Sequence, residues 1–263
     1  MQNNPIVETM LKRKSIRKYT GEMPAEEVIQ ALARAGQQAP FASQLCSVLL
    51  KRKDGLPFGA PLLFTICVDL HRMELVMSKR GWQKVTNDLS MLFFGLQDAS
   101  LMAENMVIAA QSYGLGSCFL GAAPYHADKI AKEYKLPPRV FPLVQLAMGY
   151  PAEDPPPRPR YPLNFTLFED EYPALSEADI EQAMKQMDDG YLAQDYYRKG
   201  KIKIRLDPGR EETFTYDNYS WTEHISRKWG QWYKSPAELL RQLSMRGFEV
   251  ELPAEDEAEL SIG

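Results

Sequence analysis

From Asp88 to Tyr113 the chain carries one long helical pattern, and between Ala99 and Ala110 that pattern is apolar almost all the way round. A helix without a polar face must be surrounded by protein, so this segment predicts a helix through the centre of the molecule. The glycine at 95 predicts a break in it. Gly114-Leu115-Gly116 ends the pattern and passes the chain into a strand from Ser117 to Leu120. Any fold that forms has to wrap a sheet and further helices around this buried element.

The flanking segments supply those parts. Apolar residues at 6, 7, 10 and 11 predict a helix from Ile6 to Leu11, running into the basic stretch Lys12-Arg13-Lys14-Ser15-Ile16-Arg17-Lys18. Pro24 followed by Glu26 and Glu27 reads as a helix start, with Val28, Leu32 and Ala35 as the buried face and Gly36 to Pro40 as its close. Ser47 to Leu50 and Pro61 to Val68 read as strands, the second apolar throughout and so covered on both faces. Phe141 to Met148 is another buried strand, ending at Gly149-Tyr150-Pro151. The order helix, helix, strand, strand, helix, strand, helix, strand predicts an α+β fold, a mixed β-sheet packed around central helices.

Asp154 to Pro162 changes the texture, with five prolines in nine residues forcing an extended path. It divides the chain into an expected core over 1–163 and a C-terminal extension over 164–263, packed on the core or on a partner subunit. In the extension, Ser176 and Asp179 open a helix with Ile180, Ala183, Met184 and Met187 on one side. Lys201 to Leu206 and Thr213 to Tyr216 alternate with period two around Asp207-Pro208-Gly209, which predicts a β-hairpin. Ser235-Pro236-Ala237-Glu238 starts a further helix, with Leu239, Leu240 and Leu243 buried. Tyr191, Tyr196, Tyr197, Tyr219, Trp221, Trp229, Trp232 and Tyr233 crowd the same region. They build either a small satellite core or a surface laid across a partner.

Composition narrows the function. The longest apolar run, Ala60 to Val68, is far short of the ~20 residues that span a bilayer. The N-terminus has no basic segment followed by an apolar stretch, so a cytoplasmic protein is expected. Cys46, Cys67 and Cys118 are an odd number without Cys-x-x-Cys spacing, and His71, His126 and His224 lie far apart, so no disulfide framework or metal site is expected. A net charge of −4 gives no field for a polyanion, so no nucleic-acid partner is expected.

Two basic segments stand out against that balance. Arg13, Ser15 and Arg17 fall at i, i+2 and i+4, which in an extended loop project to one side and suit a phosphate dianion. The same cations also read as a solvated face at a helix end. Arg158 and Arg160 repeat the i, i+2 spacing inside the proline run. Gly114 to Gly121 superficially matches a dinucleotide glycine fingerprint, but its third glycine comes two residues late. It also follows a helix and enters a strand, the reverse of what that phosphate site needs. Cys118 reads as a small hydrophobe, and Cys46, in a loop, as a thiol whose reactivity depends on exposure.

Lys12-Arg13-Lys14-Ser15-Ile16-Arg17-Lys18-Tyr19, followed by a proline-started helix, resembles the opening signature of the nitroreductase family of flavoproteins. Ala39-Pro40-Phe41-Ala42-Ser43-Gln44 is similar to that family's Ala-Pro-Ser-x-x-Asn loop. Asp98 to Gly121 is similar to its central helix and Gly-Leu-Gly-Ser-Cys turn, Leu146 to Pro151 to its last strand, and Arg158-Pro159-Arg160 to the basic pair beyond. The resemblance spans residues 5–163 in order. It implies a homodimer holding FMN at the subunit interface and passing electrons from NAD(P)H to small oxidants, such as nitroaromatics or quinones, by a ping-pong mechanism. It implies that Arg13, Lys14, Ser15 and Arg17 contact the phosphate, ribityl chain and pyrimidine edge, with Arg158 and Arg160 completing the phosphate site. Leu120 and Gly121 would present backbone to the reactive edge, and Gln44 would reach in from the other subunit. No catalytic side chain is expected, because the chemistry is the cofactor's. Phe41, Gln44 and Cys46-Ser47-Val48 depart from the family's serine, asparagine and Gln-Pro-Trp, all on the substrate-side wall. Reductive dehalogenation on the same flavin, or FMN storage or sensing without useful turnover, are the alternative functions.

Overall fold

The computed structural model describes residues 4–232 and 235–250. In chain order the elements are helices α1 (Pro5–Leu11) and α2 (Glu26–Gln37), strands β1 (Cys46–Arg52) and β2 (Leu62–Asp69), and helices α3 (His71–Lys79) and α4 (Asp88–Ser112). Strand β3 (Gly116–Leu120), helix α5 (Ala127–Tyr134) and strand β4 (Val140–Gly149) follow. Helices α6 (Glu177–Ala193), α7 (Tyr196–Gly200), α8 (Trp221–Gln231) and α9 (Ala237–Met245) complete the order. The chain divides into two compact units, Met1–Pro155 with Pro236–Gly263, and Pro156–Ser235.

The first unit is built on a four-stranded sheet of order β1-β2-β4-β3, antiparallel throughout. The fold is α+β as expected, with the sheet itself antiparallel; the parallel bridge from Ser15 to Ser117 is isolated and lies outside its ladders. Every residue of β2 is buried, as its unbroken apolar run requires. Ala99, Met102, Ala103, Met106, Val107 and Ala110 of α4 pack with Leu62, Phe64 and Ile66 of β2, Leu146 and Met148 of β4, and Ile29 and Leu32 of α2.

Helix α4 runs unbroken through Gly95, contrary to the expected break. A Cβ at 95 would stand 2.4 Å from Val68 Cγ1, so this glycine lets the helix press onto β2 rather than end. Helix α3 was not foreseen, because His71 to Lys79 buries no residue and so shows no apolar stripe.

The boundary expected at 163 falls at Pro155, and the described residues 236–250 rejoin the first unit. Leu243 and Phe248 are buried among Leu45, Val68, Leu70, Leu92, Ala127 and Phe141, an apolar seat that a separate extension would leave empty. Gln242 exchanges hydrogen bonds with Asp128, donating from Nε2 and accepting the backbone N–H at 2.7 Å. Of the three leucines expected to be buried in α9, Leu240 is exposed. Beside this seat Arg139 forks onto Asp88 through two 2.6 Å bonds and reaches Glu74 at 2.9 Å.

In the second unit a capping box at Ser176 and Asp179 starts α6 as expected. Ala183 and Met187 are buried, but Ile180 and Met184 are exposed, and Tyr191 extends the buried face instead. The tyrosines form a satellite core: Met187, Tyr191, Tyr197 and Tyr219 are buried, with Tyr196, Phe214, Tyr216 and Trp221 packed around them. Trp229 and Trp232 stay exposed, and Tyr233 lies outside the described residues.

The predicted hairpin is corrected. The chain reverses at Asp207–Arg210, but its two arms carry no β-ladder. Side chains satisfy the backbone that a ladder would have paired. The Tyr219 hydroxyl accepts the Ile204 N–H at 3.0 Å, Arg227 donates to Ile204 O at 2.8 Å, and Gln231 donates to Arg205 O at 2.5 Å.

Candidate active site

The basic segment is fastened along the free edge of β3. Ser15 bridges Ser117, and the Ile16 N–H donates to Ser117 O at 2.9 Å. Further on, the Thr20 N–H donates to Tyr150 O and the Ala152 N–H to Lys18 O. The Ile16 side chain is buried against Gly116, where a Cβ would meet Ile16 Cγ1 at 2.5 Å. This extended edge explains why the segment alternates: Ile16 turns inward while Ser15 and Arg17, its neighbours, face the other way.

Charge is distributed unevenly along it. Lys14 is already ion-paired to Asp154, and the Arg17 N–H donates to the Glu153 carboxylate. Arg13 and Arg17 have no carboxylate partner among the described residues. Both guanidinium groups act on Cys118, and Arg17 hydrogen-bonds its thiol. Burial outweighs their pull and pushes the Cys118 thiol above its ordinary value, so it stays protonated as a small buried hydrophobe.

Leu120 closes β3 opposite Gln145, half-buried. Gly121 follows it, exposed, with no described atom within 4 Å of where a Cβ would stand. Its lack of a side chain therefore answers to nothing inside this chain, and leaves backbone open to a flat neighbour.

Gln44 lies at the opposite edge of the sheet, just before β1. The flanking strands β1 and β3 are three spacings apart, about 14 Å. One copy of the chain thus gathers Arg13, Ser15, Arg17, Leu120 and Gly121 at one edge and leaves Gln44 at the other. Two residues that the sequence reading missed organise that second edge. Asp98 of α4, buried, accepts the backbone N–H groups of Ala42, Ser43 and Leu45, and Arg72 of α3 donates to the carbonyls of Gln44 and Cys46. The one signal for Asp98 is a carboxylate set in the apolar stripe of a buried helix. Burial, with the Asp98 carboxylate beside it, pushes the Cys46 thiol up to about 11, so it is no ready nucleophile.

Arg158 and Arg160 belong to the second unit. Arg158 stacks 3.9 Å from the Tyr196 ring and donates to Gln194 Oε1 at 2.7 Å, while Arg160 donates to the carbonyls of Arg158 and Pro159. Neither is ion-paired to a described residue.

A cavity of about 160 Å³ lies under the basic segment, and one of about 310 Å³ behind Gln44, bounded by Arg72, Asp98 and Met102. The first is below the ~300–1,000 Å³ of ordinary ligand pockets and the second at its lower limit. Among the described residues no cluster of histidine, cysteine, aspartate or glutamate could hold a metal, and no helix is long and apolar enough to cross a membrane. Unpaired guanidinium groups beside a hydroxyl suit a phosphate, and the open backbone at Gly121 suits a planar ring, so the residues present fit a phosphorylated flavin.

The fold agrees with that of known proteins. The nitroreductase family's sequence profile matches residues 47–150. The chain is 31% identical over 229 residues to an FMN reductase (NADPH) of Bacillus subtilis, covering 81% of this chain and 89% of that protein. The solved structure of the NfrA1 nitroreductase of B. subtilis aligns with a TM-score of 0.75 at 27% identity, over 92% of this chain and 98% of that one. An NADPH:FMN oxidoreductase from Vibrio harveyi, solved with NAD+, shares the fold with a TM-score of 0.72 at 22% identity, over 94% and 100%. With a relative of this similarity matched along nearly its whole length, and the family's basic edge, buried helix and glycine turn in place, the chain belongs to the nitroreductase family.

Proposed function

We propose that the chain is an FMN-dependent NAD(P)H oxidoreductase, working as a cytoplasmic homodimer and reducing small acceptors such as nitroaromatics or quinones by a ping-pong mechanism. The observation that carries this reading is the edge segment itself: Arg13 and Arg17, without carboxylate partners among the described residues, flank the Ser15 hydroxyl on a segment bridged to β3. Family membership and the curated FMN reductase among its relatives support it.

Bound FMN supplies hydride and electron transfer at its ring, and the protein supplies binding, orientation and charge. Arg13, Ser15 and Arg17 bind the phosphate and ribityl chain, with Arg158 and Arg160 as further phosphate ligands. Lys14 would stand at the pyrimidine edge, its charge partly offset by the ion pair with Asp154; a cation there favours negative charge on the reduced ring. Leu120 and Gly121 offer backbone to the reactive edge. Gln44, about 14 Å across the sheet, serves the ring held by a second copy, which is why the dimer is part of the proposal.

Steady-state assays with NADH and NADPH against a nitroaromatic, a quinone and a haloaromatic test the reading. Turnover of the first two is expected. Release of halide alone would replace it with reductive dehalogenation, and bound flavin without turnover would replace it with storage or sensing.

A further inference from the structure

We propose that Asp98 and Arg72 are positioning residues, forming a clamp that fixes Gln44 toward the flavin ring held by a second copy of the chain. The proposal rests on the reading of Gln44 as a flavin contact.

The loop between α2 and β1 is fixed at its ends by the buried Ala39 and Leu45. Between them Pro40, Phe41 and Gln44 line the cavity of about 310 Å³. The middle of the loop is held by charge. One oxygen of the Asp98 carboxylate accepts the Ala42 N–H at 2.7 Å, and the other accepts those of Ser43 at 3.3 Å and Leu45 at 2.8 Å. Asp98 is 2% exposed, so these three donors replace the water it gave up on folding.

Arg72 grips the same loop from α3. Its Nη2 donates to Gln44 O at 3.3 Å and, more closely, to Cys46 O, while its Nε is anchored to Asp69 at 2.8 Å. Gln44 has φ of 52°, a backbone region that non-glycine residues hold only when their surroundings impose it. Asp98 pins the N–H groups of Ala42 and Ser43 ahead of Gln44 and that of Leu45 after it, and Arg72 holds the Gln44 carbonyl on the other side of that last peptide. The direction of its Cα–Cβ bond is therefore set, while its exposed side chain makes no hydrogen bond to a described residue. A clamp this complete around a side chain with no partner in its own chain points outward.

The test is a double-mutant cycle on the FMN-loaded protein, reading the single-turnover rate of flavin reduction by NADPH and, separately, FMN retention. Asp98→Asn turns an acceptor into a donor facing backbone N–H groups. It should slow reduction by roughly ten- to a hundredfold, as a misplaced contact does, with FMN retained within about threefold. Gln44→Ala should slow it comparably, and the double variant should be no slower than Gln44→Ala alone. Additive losses, or a fall in Tm with an unchanged reduction rate, would overturn the clamp as a positioning device. A slow Gln44→Ala beside a wild-type Asp98→Asn would overturn the clamp and leave the Gln44 reading standing. A wild-type Gln44→Ala would remove Gln44 from the flavin site and the clamp's purpose with it. Should Asp98→Asn not fold, Arg72→Lys, whose side chain is half-exposed, enters the same cycle with the same expected non-additivity.

Discussion

Gly116→Ala connects the packing of the sheet edge to flavin binding. The added Cβ would stand 2.5 Å from Ile16 Cγ1 and 2.8 Å from its Cβ, against the ~3.5–4.0 Å at which carbon atoms rest. Ile16 cannot swing clear: it is buried and branched at Cβ, and its N–H is bonded to Ser117 O at 2.9 Å. The segment carrying Arg13, Ser15 and Arg17 must therefore withdraw from β3 by about 1 Å. Overpacking of this kind costs about 1–3 kcal/mol. At ~2–4 °C per kcal/mol for a unit of this size, Tm should fall by roughly 2–12 °C. The same displacement loosens charge-assisted bonds to the phosphate, each contributing about 1.5–3 kcal/mol, so FMN affinity should drop roughly ten- to a hundredfold. Calorimetry of the flavin-free protein and equilibrium dialysis with FMN measure the two effects separately. A lowered Tm with FMN affinity within twofold of wild type would show that this edge holds the fold and not the cofactor.

The other predictions bear on neighbouring features. Gly121→Ala has open space and should leave the flavin-free Tm within about 1 °C, while a methyl against the ring slows flavin reduction; unchanged kinetics would move the ring away from Gly121. Arg13→Ala and Arg160→Ala should each weaken FMN binding roughly ten- to a hundredfold, and wild-type affinity in both would make them solvated surface charges. Burial alone would raise the Asp88 carboxyl, but the Arg139 fork, the Glu249 N–H and Lys84 hold it well below the usual carboxylate range. Its folded pKa is depressed, so its stabilisation is complete above the unfolded value near ~3.9 and is lost as pH falls through the folded one. Wild-type Tm should thus fall more steeply below about pH 4 than that of Asp88→Asn, which is less stable at neutral pH by roughly 3–5 kcal/mol; parallel profiles would contradict this.

Where one side chain's neighbours lie close in sequence, or its pattern repeats with the element's own period, the reading from residues held. The all-round apolar stretch of α4, the unbroken run of β2 and the Ser176–Asp179 box are of that kind. Gly95 was misread as a break because its reason, the Cγ1 of Val68, sits on a different element. The alternation from Lys201 to Tyr216 is real, yet α8 supplies Arg227 and Gln231 to the backbone before a second strand can. The return of α9 depends on an apolar seat assembled from six other places in the chain, which no local pattern announces.

The candidate site divides in the same way. The spacing of Arg13, Ser15 and Arg17 is that of extended chain, and the structure bridges Ser15 to Ser117 at the edge of β3 with Ile16 buried beside it. The neutralisation of Lys14 by Asp154 was not legible, since the two meet only when the chain past β4 runs beside the segment. Asp98 and Arg72 act on backbone groups of a loop remote in sequence, so their residue types alone gave little sign of a role.

The central claim is that this chain holds FMN where NAD(P)H can reduce it. Anaerobic titration of the FMN-loaded protein with NADPH and with NADH, followed by the visible absorbance of the flavin, measures that directly. Stoichiometric bleaching by at least one donor, reversed when a quinone is added, is the predicted result. A protein that retains no FMN when supplied with it, or that holds flavin neither donor bleaches, would contradict the account.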